Sequence, residues 1–350
     1  MQNAAESLVG VSLDDGWKVV EKINLDHNGT GGNFCFAYRV QNSDGRKGFL
    51  KALDYSRAFQ SADPARALQE LTSAYNFERD ILDLCEKSRM SKIVLALGHG
   101  TTRLDGFPIP NVDYLIFEEA SGDVRRHLAR QVEVKDSVRL RIVHHIALGI
   151  SQLHSKMIAH QDLKPSNVLI FNDDSGTSGK IGDLGRATSP QIPSQVDSFD
   201  IAGDPTYAPP EQQYRATPVD YLDRRLGCDV YQLGSMLSFM FTGNHINTLV
   251  QMEIYPEHNC FNWRGTYAEV LPYLKDTYVR VIQRIRELCC HELRDEIAPM
   301  IGYLCHPDVK ERGHPLARRL QKNVFSLDRV VSKLDLLSRR MEIVESGRKV

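Results

Sequence analysis

The hydrophobic pattern of this chain turns from mainly β-like to mainly helical near residue 120, and that change restricts what it can fold into. Upstream, apolar residues gather in short β-like runs at 17–25, 34–40, 48–53, 93–97 and 114–117. Asn42-Ser43-Asp44-Gly45 separates the second run from the third and predicts a hairpin. One helix interrupts the runs, and its start is marked: Asp63 can cap it and Pro64 suits the first helical position. Downstream, Val138, Ile142, Ile146, Gly149 and Leu153 keep helical spacing, as do stretches after residue 265. The expectation is an α+β chain, a small sheet-rich lobe followed by a larger, mainly helical one. Polar residues 171–180 predict a loop between short strands, and 186–204 a longer irregular stretch.

Composition removes several classes. At 350 residues the chain can hold two ordinary domains, or one large domain split into lobes. Its 42% hydrophobic and 25% charged residues are the balance of a soluble globular protein. A net charge of −2 lacks the basic excess of a nucleic-acid binder. Seven cysteines, at 35, 85, 228, 260, 289, 290 and 305, form no C-x-x-C pair and point to free thiols rather than disulfides or zinc. The first residues have neither a basic region nor an apolar core, so a secretory signal is not expected there. The apolar run 230–241 is too short for the ~20 residues that cross a bilayer, so it reads as a buried core helix. No membrane partner and a cytoplasmic location are expected.

The helix that Asp63 opens has a charge inside its apolar stripe. Leu68, Leu71, Tyr75, Glu78, Leu82 and Cys85 follow steps of 3, 4, 3, 4 and 3. A carboxylate in such a row either reaches water at the stripe's edge or meets a cation. Lys51, inward-facing on the third β-run, is the candidate cation.

Farther on, His160-Gln161-Asp162-Leu163-Lys164-Pro165-Ser166-Asn167 precedes an apolar Val168-Leu169-Ile170. Lys180-Ile181-Gly182-Asp183-Leu184-Gly185 follows, with Asp183 sixteen residues after Asn167. Then come Gly203-Asp204-Pro205-Thr206-Tyr207-Ala208-Pro209-Pro210-Glu211, Asp229-Val230-Tyr231-Gln232-Leu233-Gly234 and Pro307-Asp308-Val309-Lys310-Glu311-Arg312. In this order, and with the glycine-rich stretch below, the segments resemble the eukaryotic-like serine/threonine protein kinase family over residues 29–312.

That resemblance implies a bilobal fold, ATP and Mg2+ as nucleotide and metal, and a protein substrate with a serine or threonine acceptor. It implies that Asp162 orients the attacking hydroxyl and takes its proton, and that Asn167 and Asp183 hold the metal. Lys164 would neutralise charge on the moving phosphoryl group, and Lys51 with Glu78 would hold phosphates. Thr206 belongs to an activation segment whose Glu211 would pair with Arg312. Thr30-Gly31-Gly32-Asn33-Phe34-Cys35-Phe36-Ala37-Tyr38 resembles the phosphate-covering loop, with Gly31 and Gly32 near phosphates and Phe34 at the tip. Ala37, Phe49, Phe117 and Leu169 would line the adenine pocket, and backbone groups of Glu118 and Ala120 would bond the adenine edge. The division implied is a first lobe over 1–117, a hinge at 118–120, a second lobe over 121–313 and a helical extension over 314–350.

Departures from the family pattern carry expectations of their own. Phe49 stands where the family usually has alanine and Ala37 where it usually has valine, an exchange that preserves volume over the adenine or else fills the pocket. Leu184 replaces phenylalanine. Gln161 replaces the arginine that reads an activation-loop phosphate, which suggests activity independent of such phosphorylation. Asp204 replaces a threonine and either pairs with Lys164 or weakens peptide positioning. An insertion is expected around 244–285, as a docking element or a solvated decoration. Three readings follow: a protein kinase, which probes should also find autophosphorylating; a pseudokinase scaffold that binds nucleotide without turnover; and a small-molecule phosphotransferase. Beyond the motifs, Leu327, Val330, Leu334, Leu337, Met341 and Val344 predict an amphipathic helix over 326–345. It would pack on its own chain in a monomer, or on its copy in a homodimer.

Overall fold

The computed structural model describes residues 3–24, 35–130, 134–173, 176–320 and 323–347. Five strands build the first lobe: β1 (Lys18–Ile23), β2 (Cys35–Gln41), β3 (Lys47–Leu53), β4 (Ala96–Arg103) and β5 (Asn111–Glu118). They pair antiparallel in the order β1-β2-β3-β5-β4. Alternation sorts their side chains. Tyr38, Val40, Leu50, Ala52, Tyr114 and Ile116 are buried on one face, under Ala4, Ala5, Leu8, Leu13 and Trp17 of the segment before β1. The Tyr38 hydroxyl donates to the Ala5 carbonyl at 2.6 Å and fastens this cover. The other face carries Ala37 opposite Lys51, Lys51 opposite Leu115, and Phe49 opposite Phe117. The expected hairpin joins β2 to β3, with Gly45 at φ +82° supplying the left-handed turn residue.

Helix α1 (Pro64–Lys87) starts as anticipated: the Asp63 carboxylate accepts from the Arg66 amide at 3.1 Å, and Pro64 sits in the first turn. Its stripe is buried from Tyr75 onward through Glu78, Leu82 and Cys85, while Leu68 and Leu71 are only half-buried. The fourth strand lies later than the apolar run 93–97 suggests. Ile93 and Val94 instead join the second lobe, where the Val94 amide donates to the Ile181 carbonyl at 2.8 Å. The strand proper contains Gly98 and Gly100. A Cβ on Gly100 would lie 2.6 Å from the Tyr114 hydroxyl, so close packing there replaces the hydrophobic signature.

The second lobe contains β6 (Gly122–Asp123), α2 (Val124–Arg130), α3 (Asp136–His154), β7 (Val168–Asp173), β8 (Gly176–Ile181) and α4 (Pro210–Gln213). Then follow α5 (Gly227–Thr242), α6 (Ile246–Glu253), α7 (Tyr267–Leu288), α8 (Arg294–Leu304), α9 (Pro315–Leu320) and α10 (Asp328–Gly347). The polar stretch 171–180 is not a loop but most of a β-hairpin, since β7 and β8 pair from Val168–Ile181 out to Asp173–Gly176. Main-chain bonding holds these strands, and Gly179 lets β8 approach α3 at Ile142, so apolar alternation is not needed there. Helix α5 is buried along nearly its whole length, as a core helix should be.

Helix α10 packs along α3 of the same chain. Leu327, Val330, Leu334, Leu337 and Met341 are buried and Val344 is half-buried. Polar contacts flank the stripe: Glu345 accepts from the Ser137 amide at 3.0 Å, Glu342 pairs with Arg141, and Lys333 lies 2.6 Å from Glu296. Among the described residues, no helix is long and apolar enough to cross a membrane.

Candidate functional site

Strand β3, helix α1 and the turn after β8 bring three charges together. The Lys51 ammonium donates to Glu78 at 2.8 and 3.1 Å and lies 3.8 Å from Asp183 Oδ1. The buried carboxylate in the helix stripe therefore meets the strand lysine. Burial pushes the Lys51 pKa down, but the Glu78 and Asp183 carboxylates outweigh it and hold the ammonium charged. Asp183 itself has φ +57°, backbone that a side chain rarely adopts. The next residue, Leu184, is buried in the core.

The second cluster surrounds Asp162. Lys164 Nζ lies 2.9 Å from Asp162 Oδ2 and 3.5 Å from Asp204 Oδ2. Asn167 Nδ2 donates to the Asp162 carbonyl at 2.8 Å and to its Oδ2 at 3.0 Å. The Asp204 amide donates to Asp162 Oδ1 at 2.8 Å. Burial raises the Asp204 carboxyl, but bonds from Thr206 and the charge of Lys164 outweigh it and hold it below the ordinary range. Thus Asp204 takes the pairing alternative with Lys164. The approach requires Gly203: a Cβ there would lie 2.2 Å from the Gln161 carbonyl.

What holds this loop was less visible in the sequence. Asp229, fully buried near the start of α5, accepts from the amides of His160 at 2.7 Å and Gln161 at 2.8 Å, and contacts His154 Nε2 at 2.9 Å. Gln232, one turn on, accepts from the Leu163 amide at 3.0 Å and donates to the Gln161 carbonyl at 3.0 Å. His160 Nδ1 accepts from the Asp162 amide at 3.2 Å, so Nε2 carries the proton and donates to the Gly182 carbonyl at 3.0 Å. That bond couples the Asp162 loop to the Asp183 turn. A signal was available: a carboxylate opening the most apolar helix of the chain needs buried donors.

Toward the other side, β5 ends at Phe117 and Glu118. The Glu118 amide is spent on the Leu95 carbonyl at 3.1 Å, so of its backbone polar groups only the carbonyl can face a ligand. Its carboxylate is held by Lys180 at 2.6 and 2.7 Å and by the Leu95 amide at 2.8 Å. Just past Ala120, the Ser121 amide donates to the Ile170 carbonyl at 2.8 Å and anchors the crossing to β7, beside Leu169. Phe49, Phe117, Ala120 and Leu169 are half-buried and Ala37 is buried. Gly31, Gly32 and Phe34 lie outside the described residues.

Behind the site, Arg312 donates to both Glu211 oxygens, at 2.8 and 2.7 Å, with both side chains buried. Thr206 is exposed and stays out of the Asp162 cluster; its amide donates to Asp204 at 3.0 Å and its carbonyl accepts from Asn247 at 2.8 Å.

The donors suit a hard divalent cation. Asp162 engages the Asn167 amide nitrogen, which turns the amide oxygen away from Asp162, and the Asp183 carboxylate is partly open to solvent. An amide oxygen and a carboxylate, completed by phosphate oxygens and water, are the donors that Mg2+ favours.

A family model described as protein kinase domain matches residues 29–323. The chain is 31% identical over 146 residues to the serine/threonine-protein kinase SBK1 of Danio rerio, covering 40% of this chain and 35% of that protein. It is 28% identical over 216 residues to the serine/threonine-protein kinase PLK4 of Xenopus laevis, covering 61% and 20%. To the serine/threonine-protein kinase atg1 of Dictyostelium discoideum it is 27% identical over 247 residues, covering 69% and 32%. The matched part thus spans about a third or less of these relatives' own length. Taken with the two-lobed architecture, the match across residues 29–323 shows that the chain belongs to the protein kinase family, which uses ATP and Mg2+.

Proposed function

We propose that the chain is a serine/threonine protein kinase that transfers the γ-phosphoryl of ATP to hydroxyl groups of a protein. The observation that carries this reading is the convergence at Lys51, bonded to Glu78 at 2.8 Å and 3.8 Å from Asp183, which joins strand, helix and turn around one cation. Lys51 binds phosphate oxygens in this reading, kept charged and aimed by Glu78. Phe49 and Ala37 from the sheet face and Leu169 from below enclose the adenine, with Phe117 behind it. The Glu118 carbonyl and backbone of Ala120 meet its edge, and Gly31, Gly32 and Phe34 cover the phosphates. Asp162 orients the acceptor hydroxyl and receives its proton, since its oxygens are already fixed by Asn167, Lys164 and the Asp204 amide. Lys164 stabilises the equatorial charge of the moving group. Asn167 and Asp183 would hold Mg2+, which supplies the positive charge that offsets the phosphates.

The lobes divide, in this proposal, at 118–120, with 1–117 and 121–313 on either side and 314–350 as an extension. The acceptor protein lies against the segment around Thr206, which Glu211 and Arg312 support from behind. A monomer is favoured because the α10 stripe is already covered by its own chain. Seven free thiols suit a reducing cytoplasm.

Incubating the purified chain with γ-labelled ATP, Mg2+ and a serine/threonine peptide library tests the reading, followed by mass-spectrometric mapping. Phosphoserine or phosphothreonine on peptides is the expected product. Nucleotide binding without any label transfer would support a pseudokinase instead, and label appearing only on small metabolites a small-molecule phosphotransferase.

A further inference from the structure

Arg225 lies in the turn Leu222–Leu226, a π-helical turn that leads into α5. Such turns are rare and concentrate at functional sites. The same turn is anchored by Asp223, which pairs with Lys310. Arg225 is 2% exposed, yet among the described residues no carboxylate forms an ion pair with its guanidinium. Its Nη2 instead donates to the carbonyls of Asp197 at 2.8 Å, Val196 at 3.2 Å and Phe199 at 3.2 Å. Its Nη1 donates to Gln161 Oε1 at 3.2 Å. A buried cation without an anion is costly, so this arrangement stands only because several oriented dipoles replace the anion.

The residues on both sides of Arg225 are shaped for it. Residues 194–199 form a closed turn: the Ser194 amide donates to Asp197 Oδ2 at 2.8 Å, and the Phe199 amide to the Val196 carbonyl at 3.1 Å. The turn presents its carbonyls toward Arg225, and the Phe199 carbonyl accepts from Arg224 Nη2 as well, at 2.8 Å. Gln161 donates through Nε2 to the Arg225 carbonyl at 2.8 Å while its Oε1 accepts from the guanidinium. An arginine at 161 would put a second positive charge against Arg225; a neutral amide satisfies both partners. Five residues beyond the turn, the Asp204 amide is bonded to Asp162.

We propose that Arg225 is a positioning residue that fastens residues 196–199 to the Gln161–Asp162 loop through main-chain carbonyls, so that the site is assembled without a phosphate on this segment. The inference rests on the kinase reading above. It assigns to a residue outside the motifs the bridging task that a phosphate would otherwise perform.

The test uses the full chain treated with a broad-specificity phosphatase and checked by intact mass. Wild type, Arg225→Lys and Arg225→Met are compared by steady-state kinetics on a serine/threonine peptide library and by hydrogen exchange. Dephosphorylated wild type should keep its turnover within about twofold. Arg225→Met should lose about 10- to 100-fold in kcat with the ATP KM nearly unchanged, as expected when geometry rather than binding is lost. Arg225→Lys should fall between them. Amides of 196–199 should exchange faster in the same order, with those of α10 unaffected. If the methionine variant does not fold, faster exchange at 196–199 in Arg225→Lys supports the proposal and wild-type exchange there overturns it. Loss of activity on phosphatase treatment, or wild-type exchange in Arg225→Met, also overturns it. Should wild type transfer no phosphoryl group at all, the kinase reading fails, and the exchange comparison still decides whether Arg225 holds the segment.

Discussion

Gln161 and Asp183 hold left-handed backbone at φ +67° and +57°, conformations that cost a non-glycine residue about 1–3 kcal/mol each and persist only where surrounding bonds outweigh them. For Gln161 those bonds come from Asp229 and Arg225; for the Asp183 turn one comes from His160, through the Gly182 carbonyl. Asp183→Asn keeps the shape and removes the charge that suits Mg2+. It should cut phosphoryl transfer by about two to three orders of magnitude and weaken Mg2+-dependent nucleotide binding, measured by calorimetry, while the chain stays folded. The Phe49 and Ala37 pair makes a separate case. They are diagonal neighbours on one sheet face, because Ala37 lies opposite Lys51, two residues from Phe49. Phe49→Ala should weaken ATP binding, and Ala37→Val should partly restore it, giving coupling of about 0.5–3 kcal/mol in a double-mutant cycle. Additive effects would mean that the two do not share a cavity. His145 gives a pH dependence. Burial, with Lys92 and His144 beside it, pushes its pKa down to about 3, and its Nδ1 accepts from the Gly179 amide at 3.2 Å. The neutral form is the folded form, so its contribution is fully present above the unfolded value of 6.5 and is lost as pH falls toward 3. Within that window His145→Gln should flatten stability by up to about 1.4 kcal/mol per pH unit in denaturant titrations.

At the scale of elements, motif residues were legible because their types and order are restrictive, and the strands and α1 because periodicity and capping are local signals. Two stretches were not. Part of β4 replaces apolar alternation with glycines that let Tyr114 approach, and the 171–180 hairpin is held by main-chain bonds that carry no side-chain pattern. Residues 4–17, covering the sheet's outer face, were equally silent, since they pack without regular structure long enough to show a period. Helix α10 was legible, and its stripe lies against its own chain. Each large apolar side chain so buried contributes about 1.5–3 kcal/mol. Leu334→Glu puts an unpaired charge in that interface and should destabilise the catalytic domain by roughly 3–5 kcal/mol, with unchanged mass by light scattering. A wild-type dimer that this change converts into a folded, active monomer would contradict packing within the chain.

For the whole molecule, the site depends on contacts far apart in sequence. Asp229 lies nearly seventy residues after the loop it holds, and Glu211 a hundred before Arg312. Such partnerships leave no local pattern; the Glu211–Arg312 pair and the segment carrying Asp229 and Gln232 stand out only through the family resemblance, and the bonds of Asp229, Gln232 and Arg225 to the 160–163 loop do not stand out at all. Losing one partner of the buried Glu211–Arg312 pair typically costs about 3–5 kcal/mol, because the other charge is left without an anion or cation. Whether these distant pieces converge on phosphoryl transfer, with Asp162 acting on the acceptor, is decided by Asp162→Asn. Nucleotide binding and label transfer from γ-labelled ATP are measured on the same preparation of variant and wild type. The variant should bind Mg2+–ATP within about threefold of wild type, and its transfer to serine and threonine should fall by at least about a hundredfold. Transfer at the wild-type rate by a variant that binds nucleotide normally would take Asp162 out of the acceptor chemistry.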